Sequence, residues 1–115
     1  MKHQMRLLAQ PFAAIKSGRK TIELRLFDSK RQLIRPDDEI CFENPDGETV
    51  TAKVKALHVF PDFETLYRTL PLEQCGYTKQ EVPAASADDM LAYYTRAQIE
   101  RCGVVGIELS EVHVC

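Results

Sequence analysis

The sequence predicts an α+β fold, a small, partly open, mostly antiparallel β-barrel with helices flanking its mouth. Three observations lead there. The elements read strand, helix, strand, strand, strand, helices, strand, so hairpins outnumber any possible parallel crossover. The strongest turn signal, Asn44-Pro45-Asp46-Gly47, joins two strand candidates directly. The 115 residues allow one modest core, and curling a small sheet limits its exposed edges. No repeat, low-complexity tract or linker interrupts the chain, so a single domain over residues 1–115 is expected.

Each element has a local reason. Arg6 to Ala9 reads as a first strand with Leu7 and Leu8 buried. Gln10-Pro11 then opens a short helix, where the missing proline N–H costs nothing. Phe12 and Ile15 give that helix its apolar side, and Ser17-Gly18 ends it, the glycine supplying a left-handed cap. Thr21 to Phe27 alternates as a second strand, with Ile22, Leu24 and Leu26 on one face and Thr21, Glu23 and Arg25 on the other.

Asp28 to Pro36 is a polar, basic loop with room for one helical turn. Strands follow at Glu39 to Glu43 and Thr49 to Phe60, the second alternating as a half-buried antiparallel strand does. Asp62 caps a helix whose Phe63, Leu66, Tyr67 and Leu70 share one face. Leu72 to Ala85 reads as a connector, with a turn of helix at Lys79 to Val82. Ser86-Ala87-Asp88-Asp89 looks like a capping box, opening a helix that carries Met90, Leu91, Tyr93 and Tyr94. A further turn covers Thr95 to Arg101, and Gly103 releases a last strand from Val104 to Leu109, with room to continue to Val114.

Composition excludes several function classes. Hydrophobic residues at 44% and charged residues at 28% are ordinary for a globular chain. The formal net charge of -2 argues against general electrostatic nucleic-acid binding, so any such contact must come from a local basic patch. No apolar run approaches the ~20 residues that span a bilayer, no membrane association is expected, and the default address is the cytoplasm. Among the cysteines, Cys41 and Cys102 sit in strand-like apolar contexts and read as small buried hydrophobes, while Cys115 reads as exposed and oxidisable. His3, His58 and His113 are scattered, no zinc spacing or nucleotide-binding glycine loop occurs, and neither metal nor cofactor is expected.

The segment Gly18-Arg19-Lys20-Thr21-Ile22-Glu23-Leu24-Arg25 stands out. Its charged side chains crowd behind a helix terminator, and Glu23 and Arg25, two apart on a strand, point to one face. A guanidinium beside a carboxylate holds it ionised. Strict alternation puts Lys20 on the Ile22 side, so Lys20 joins the other two only if the chain twists at the strand start. On spacing alone, the pattern also describes a solvated strand face with a weak ion pair.

The same octapeptide fits the G-x-K-x-x-E-x-R signature of the ASCH domain family, a branch of the PUA-like superfamily, with Gly18, Lys20, Glu23 and Arg25 at its four positions. Ile34-Arg35-Pro36-Asp37-Asp38-Glu39-Ile40 resembles the family's I-x-x-G-D-x-I lead-in to the next strand, with Asp37 where glycine is typical. The helix Phe63 to Leu70, the pair Tyr93-Tyr94 and the ending Cys102-Gly103-Val104-Val105-Gly106-Ile107 resemble its later elements.

The resemblance implies a PUA-like barrel whose cleft, lined by the motif, handles RNA, nucleotides or nucleosides. Gly18, Lys20, Glu23 and Arg25 would line it and Tyr94 would stack on a base; the basic loop residues Lys30, Arg31 and Arg35, by their own pattern, read either as an exposed loop or as a phosphate-tracking rim beside the cleft. One bacterial branch hydrolyses the acetyl amide of N4-acetylcytidine with a Lys, a Thr and a Glu. Lys20 matches that Lys, and Glu23 stands where that branch has its Thr. A binding module is therefore the first expectation, with Glu23 accepting from a base amine and Lys20 and Arg25 contacting phosphate or carbonyl. The alternative is an amidohydrolase of acylated nucleosides, with Lys20 as base or proton shuttle, Glu23 positioning water and Arg25 stabilising the oxyanion.

Overall fold

The computed structural model describes residues 1–114. Its strands are β1 (Lys2–Arg6), β2 (Ile22–Leu26), β3 (Glu39–Glu43), β4 (Thr49–Phe60) and β5 (Val104–Val114), and its helices are α1 (Ala9–Lys16), α2 (Phe63–Thr69) and α3 (Arg96–Cys102). The strands form one sheet in the order β1-β3-β4-β5-β2. Every pairing is antiparallel except β1 with β3, which is parallel. Register shifts between Thr51 and Lys53 and between Val54 and Ala56 bend β4 against β5, as bulges do, and curl the sheet into a half-barrel. The α+β, partly open barrel of the sequence reading is the observed architecture.

Alternation explains two cores on opposite sides of the sheet. Met5, Ile40, Phe42, Val50, Val54, Val105 and Ile107 pack inside the curl, closed by Phe12 and Ile15 of α1. Ile22, Leu24 and Leu26 face the other way and pack with Phe63 and Leu66 of α2. Asp62 caps α2 as expected, accepting from the Thr65 backbone N–H at 2.8 Å.

Several sequence expectations shift. The first strand lies earlier than 6–9, because His3 and Met5 supply its buried face and pairing with β3 sets its register. Leu7 is buried, but Leu8 is 61% exposed at the start of α1. The turn expected at Lys79 to Val82 is a 3-10 turn at Val82–Ala84, and the helix after Ser86 is a 3-10 segment, Ala87–Ala92. The Ser86–Asp89 capping box forms as read. Cys102 is only partly buried, and Cys115 lies outside the described residues. Among the described residues no helix is long and apolar enough to cross a membrane.

Asp37, standing where the resembling family has glycine, takes φ 76, a left-handed backbone that costs any residue with a Cβ. Its carboxylate is 86% exposed and only loosely paired with Lys53 at 3.6 Å, so the side chain returns little. Asp37→Gly is expected to raise stability by about 0.5–1 kcal/mol, read as a higher denaturant midpoint.

Candidate functional site: a charged cleft closed by a strap

The cleft is built around the end of α1. Gly18 turns the chain at φ 84, and the Lys20 backbone N–H then donates to the carbonyl of Ala14 at 3.0 Å. Lys20 therefore sits on the helix end, ahead of the strand, and is released from the strand's alternation. The next two N–H groups, of Thr21 and Ile22, both donate to the carbonyl of Gln74. The strand begins only at Ile22 for that reason, one residue after the expected start.

Lys20, Glu23 and Arg25 converge. Lys20 Nζ lies 2.8 Å from Glu23 Oε1, and Arg25 Nε donates to Glu23 Oε2 at 2.7 Å. Glu23 is 4% exposed, so its charge has little water around it. Burial pushes this carboxyl up, but the Lys20 and Arg25 charges and their hydrogen bonds outweigh it and hold Glu23 below the usual carboxylate range. Each carboxylate oxygen is thus engaged by one cation. Arg25 also donates from Nη2 to the carbonyl of Arg6 at 2.8 Å, which orients the guanidinium.

These three residues line a cleft of about 1110 Å³. Residues of α1 and Tyr67 of α2 line it as well, and a further wall comes from residues 72–95, which run as a strap of turns instead of a passive connector. The strap is tied down through Gln74 and through Arg19 Nη1, which donates to the carbonyl of Gly76 at 3.1 Å. Gly76 has φ +115, and a Cβ there would stand 3.3 Å from Lys20 Cδ, so the strap backbone lies directly on the lysine stem. Cys75 lines the cleft as well, and burial pushes its thiol up to about 11, which makes it a poor nucleophile at neutral pH.

Both neighbouring tyrosines reach the cleft. Tyr94 stacks on Phe63 with ring centroids 6.2 Å apart and planes 12° from parallel, whereas Tyr93 is 64% exposed at the mouth. Tyr67 and Tyr77 complete the aromatic lining.

The other candidates lie elsewhere. Lys30 and Arg31 are not part of the cleft lining. Lys30 Nζ donates to the carbonyl of Gln4 at 3.0 Å, and Arg31 Nη1 pairs with Asp28 at 3.0 Å. Gly18 shapes the approach to the cleft without lining it. Thr21 turns its hydroxyl toward Gln74. The sequence reading missed Tyr67, Cys75, Gly76, Tyr77 and Asp89, most of them in a stretch that carried no periodic signal.

With this geometry in view, the comparisons decide the family. A family model described as the ASCH domain matches residues 5–113. The chain belongs to the ASCH domain family. Among solved structures, the hypothetical protein PH0355 is similar at 32% identity, covering 96% of this chain and 98% of its own, with a TM-score of 0.79. Protein PF0455 from Pyrococcus furiosus is 31% identical over 96% of each chain, with a TM-score of 0.68. A mutant of ZmASCH from Zymomonas mobilis shares 18% identity over 96% of this chain and 68% of its own, with a TM-score of 0.68, and speaks to the fold alone. No curated protein matches the chain. Within this ASCH chain, Lys20, Glu23 and Arg25 of the motif are one charge cluster at the bottom of one cleft.

Proposed function

We propose that this ASCH chain is a binding module whose cleft takes an unstacked base of RNA, or a free nucleotide or nucleoside. The observation that carries the reading is the convergence of Lys20 and Arg25 on the buried Glu23 beneath tyrosine walls. With Glu23 held between two cations, the cluster carries one net positive charge and spare N–H donors on Lys20 and Arg25. Such a floor suits the carbonyl and ring-nitrogen acceptors of a base edge, while Tyr93 and Tyr94 offer faces for stacking. Lys20 and Arg25 thus keep the donor role expected of them, while Glu23, expected to accept from a base amine, chiefly organises the two cations.

Hydrolysis of an acylated nucleoside would use the same Lys20–Glu23 contact. It is the weaker reading, because Glu23 is already spent on two cations and the Cys75 thiol in the cleft is protonated at neutral pH.

Titration of the four ribonucleosides, their monophosphates and short single-stranded RNA at two salt concentrations tests the proposal. A Lys20→Ala/Arg25→Ala double variant is expected to weaken binding by about 100-fold, from the loss of charge-assisted hydrogen bonds. Equal binding by wild type and double variant would show that the cleft is not the site. Deacetylation of N4-acetylcytidine that stops in Lys20→Ala would favour hydrolysis instead.

A further inference from the structure

A hydroxyl chain runs along the strap side of the cleft. The Tyr77 hydroxyl donates to Asp89 Oδ2 at 2.8 Å, and the Tyr67 and Tyr77 oxygens are 2.7 Å apart. Because Tyr77 has a single proton and spends it on the carboxylate, Tyr67 is the donor between the two phenols. Burial, then the Tyr67 hydroxyl and the Asp89 carboxylate, push Tyr77 far above the ordinary phenol range, so it stays a donor. The Ser86 backbone N–H also donates to Asp89 Oδ2, at 3.2 Å. One oxygen of Asp89 is therefore pinned twice. The other, Oδ1, accepts no hydrogen bond among the described residues, and Asp89 lines the same cleft as Lys20, Glu23 and Arg25.

Tyr67, Cys75 and Tyr77 line the same cleft as the charge cluster and Asp89. The cleft thus offers donors at Lys20 and Arg25 and a carboxylate acceptor held in place at Asp89. A ligand that matches both must carry acceptors at one end and hydroxyl donors at the other. A phosphate at the Asp89 end would meet like charge. A ribose hydroxyl fits, since a carboxylate held in place by its neighbours is a known partner of sugar hydroxyls and makes a charge-assisted bond.

We propose that Asp89, held by Tyr77, reads a free ribose hydroxyl of the ligand and makes the cleft selective for ribonucleosides over their deoxy counterparts. This rests on the base-binding reading above and narrows its ligand class. Tyr77 is a positioning residue here, acting only through Asp89.

The test is calorimetry on the full chain with cytidine, uridine, adenosine and guanosine, each beside its 2′-deoxy and 3′-deoxy counterpart. The nucleoside that binds best is expected to lose about tenfold in affinity when either its 2′- or its 3′-hydroxyl is removed. Asp89→Asn, which keeps the side-chain acceptor for Ser86, and Tyr77→Phe are both expected to narrow that ratio toward one. A wild-type ratio of one, or variants that weaken both forms equally, would overturn the assignment and leave base binding standing. If no ribonucleoside binds at all, the nucleoside reading fails and this one fails with it.

Discussion

Glu23→Ala is expected to destabilise the fold by about 3–5 kcal/mol, because it strips the shared partner from two cations that are themselves largely buried. Lys20 is 11% exposed at its side chain and Arg25 15%, so neither has full access to water in compensation. Urea denaturation at neutral pH measures the loss. Glu23→Gln keeps the shape and should fall between wild type and alanine.

The pH dependence has a definite sign. Glu23 is held below its ordinary value of 4.5 when folded, so its contribution is present above that value. It is lost as pH falls below 4.5 toward the folded value. Wild type should therefore lose stability faster than Glu23→Gln on acidification below that point. Parallel curves for the two proteins would mean that the cluster is solvated and contributes little.

Phe63→Ala is the second large effect, at about 3–5 kcal/mol for a buried aromatic. Phe63 is 1% exposed and touches Tyr94 face to face and Tyr67 edge-on, with the latter centroids 6.4 Å apart. Its loss therefore removes the backing of two cleft tyrosines along with core volume. Thermal unfolding reads the first consequence and ligand affinity the second. Phe63→Leu retains most of the volume but no ring, so it should recover much of the stability while still weakening binding. Recovery of both together would assign the tyrosines' orientation to something other than this stack.

Much of the fold was legible because its signals are local. The alternation of Ile22, Leu24 and Leu26 marks a strand whatever it later packs against. Asp62 and the Ser86–Asp89 pair mark helix starts by their own side-chain hydrogen bonds. Gly18 marks a chain reversal because a Cβ is costly at φ 84. The misplacements have a common cause. Whether β1 starts at Lys2 or Arg6 depends on its pairing with β3, and the late start of β2 depends on the carbonyl of Gln74. Neither partner is near in sequence.

The site divides in the same way. Glu23 and Arg25 share a face by the period of a strand, and the sequence alone determined that. Lys20 broke the alternation argument, because its backbone is bonded to Ala14 on the helix end and its stem is covered by Gly76. Tyr77 and Asp89 stand more than fifty residues from Glu23, in a stretch of turns whose residues carry no periodic face. Local hydrogen bonding and hydrophobic period thus determined the α+β elements, the helix caps and one edge of the charge cluster. Only the tertiary structure decided the third member of that cluster and the strap that completes the cleft. Those depend on backbone partners and side-chain approaches between distant segments, and these are set when the chain packs.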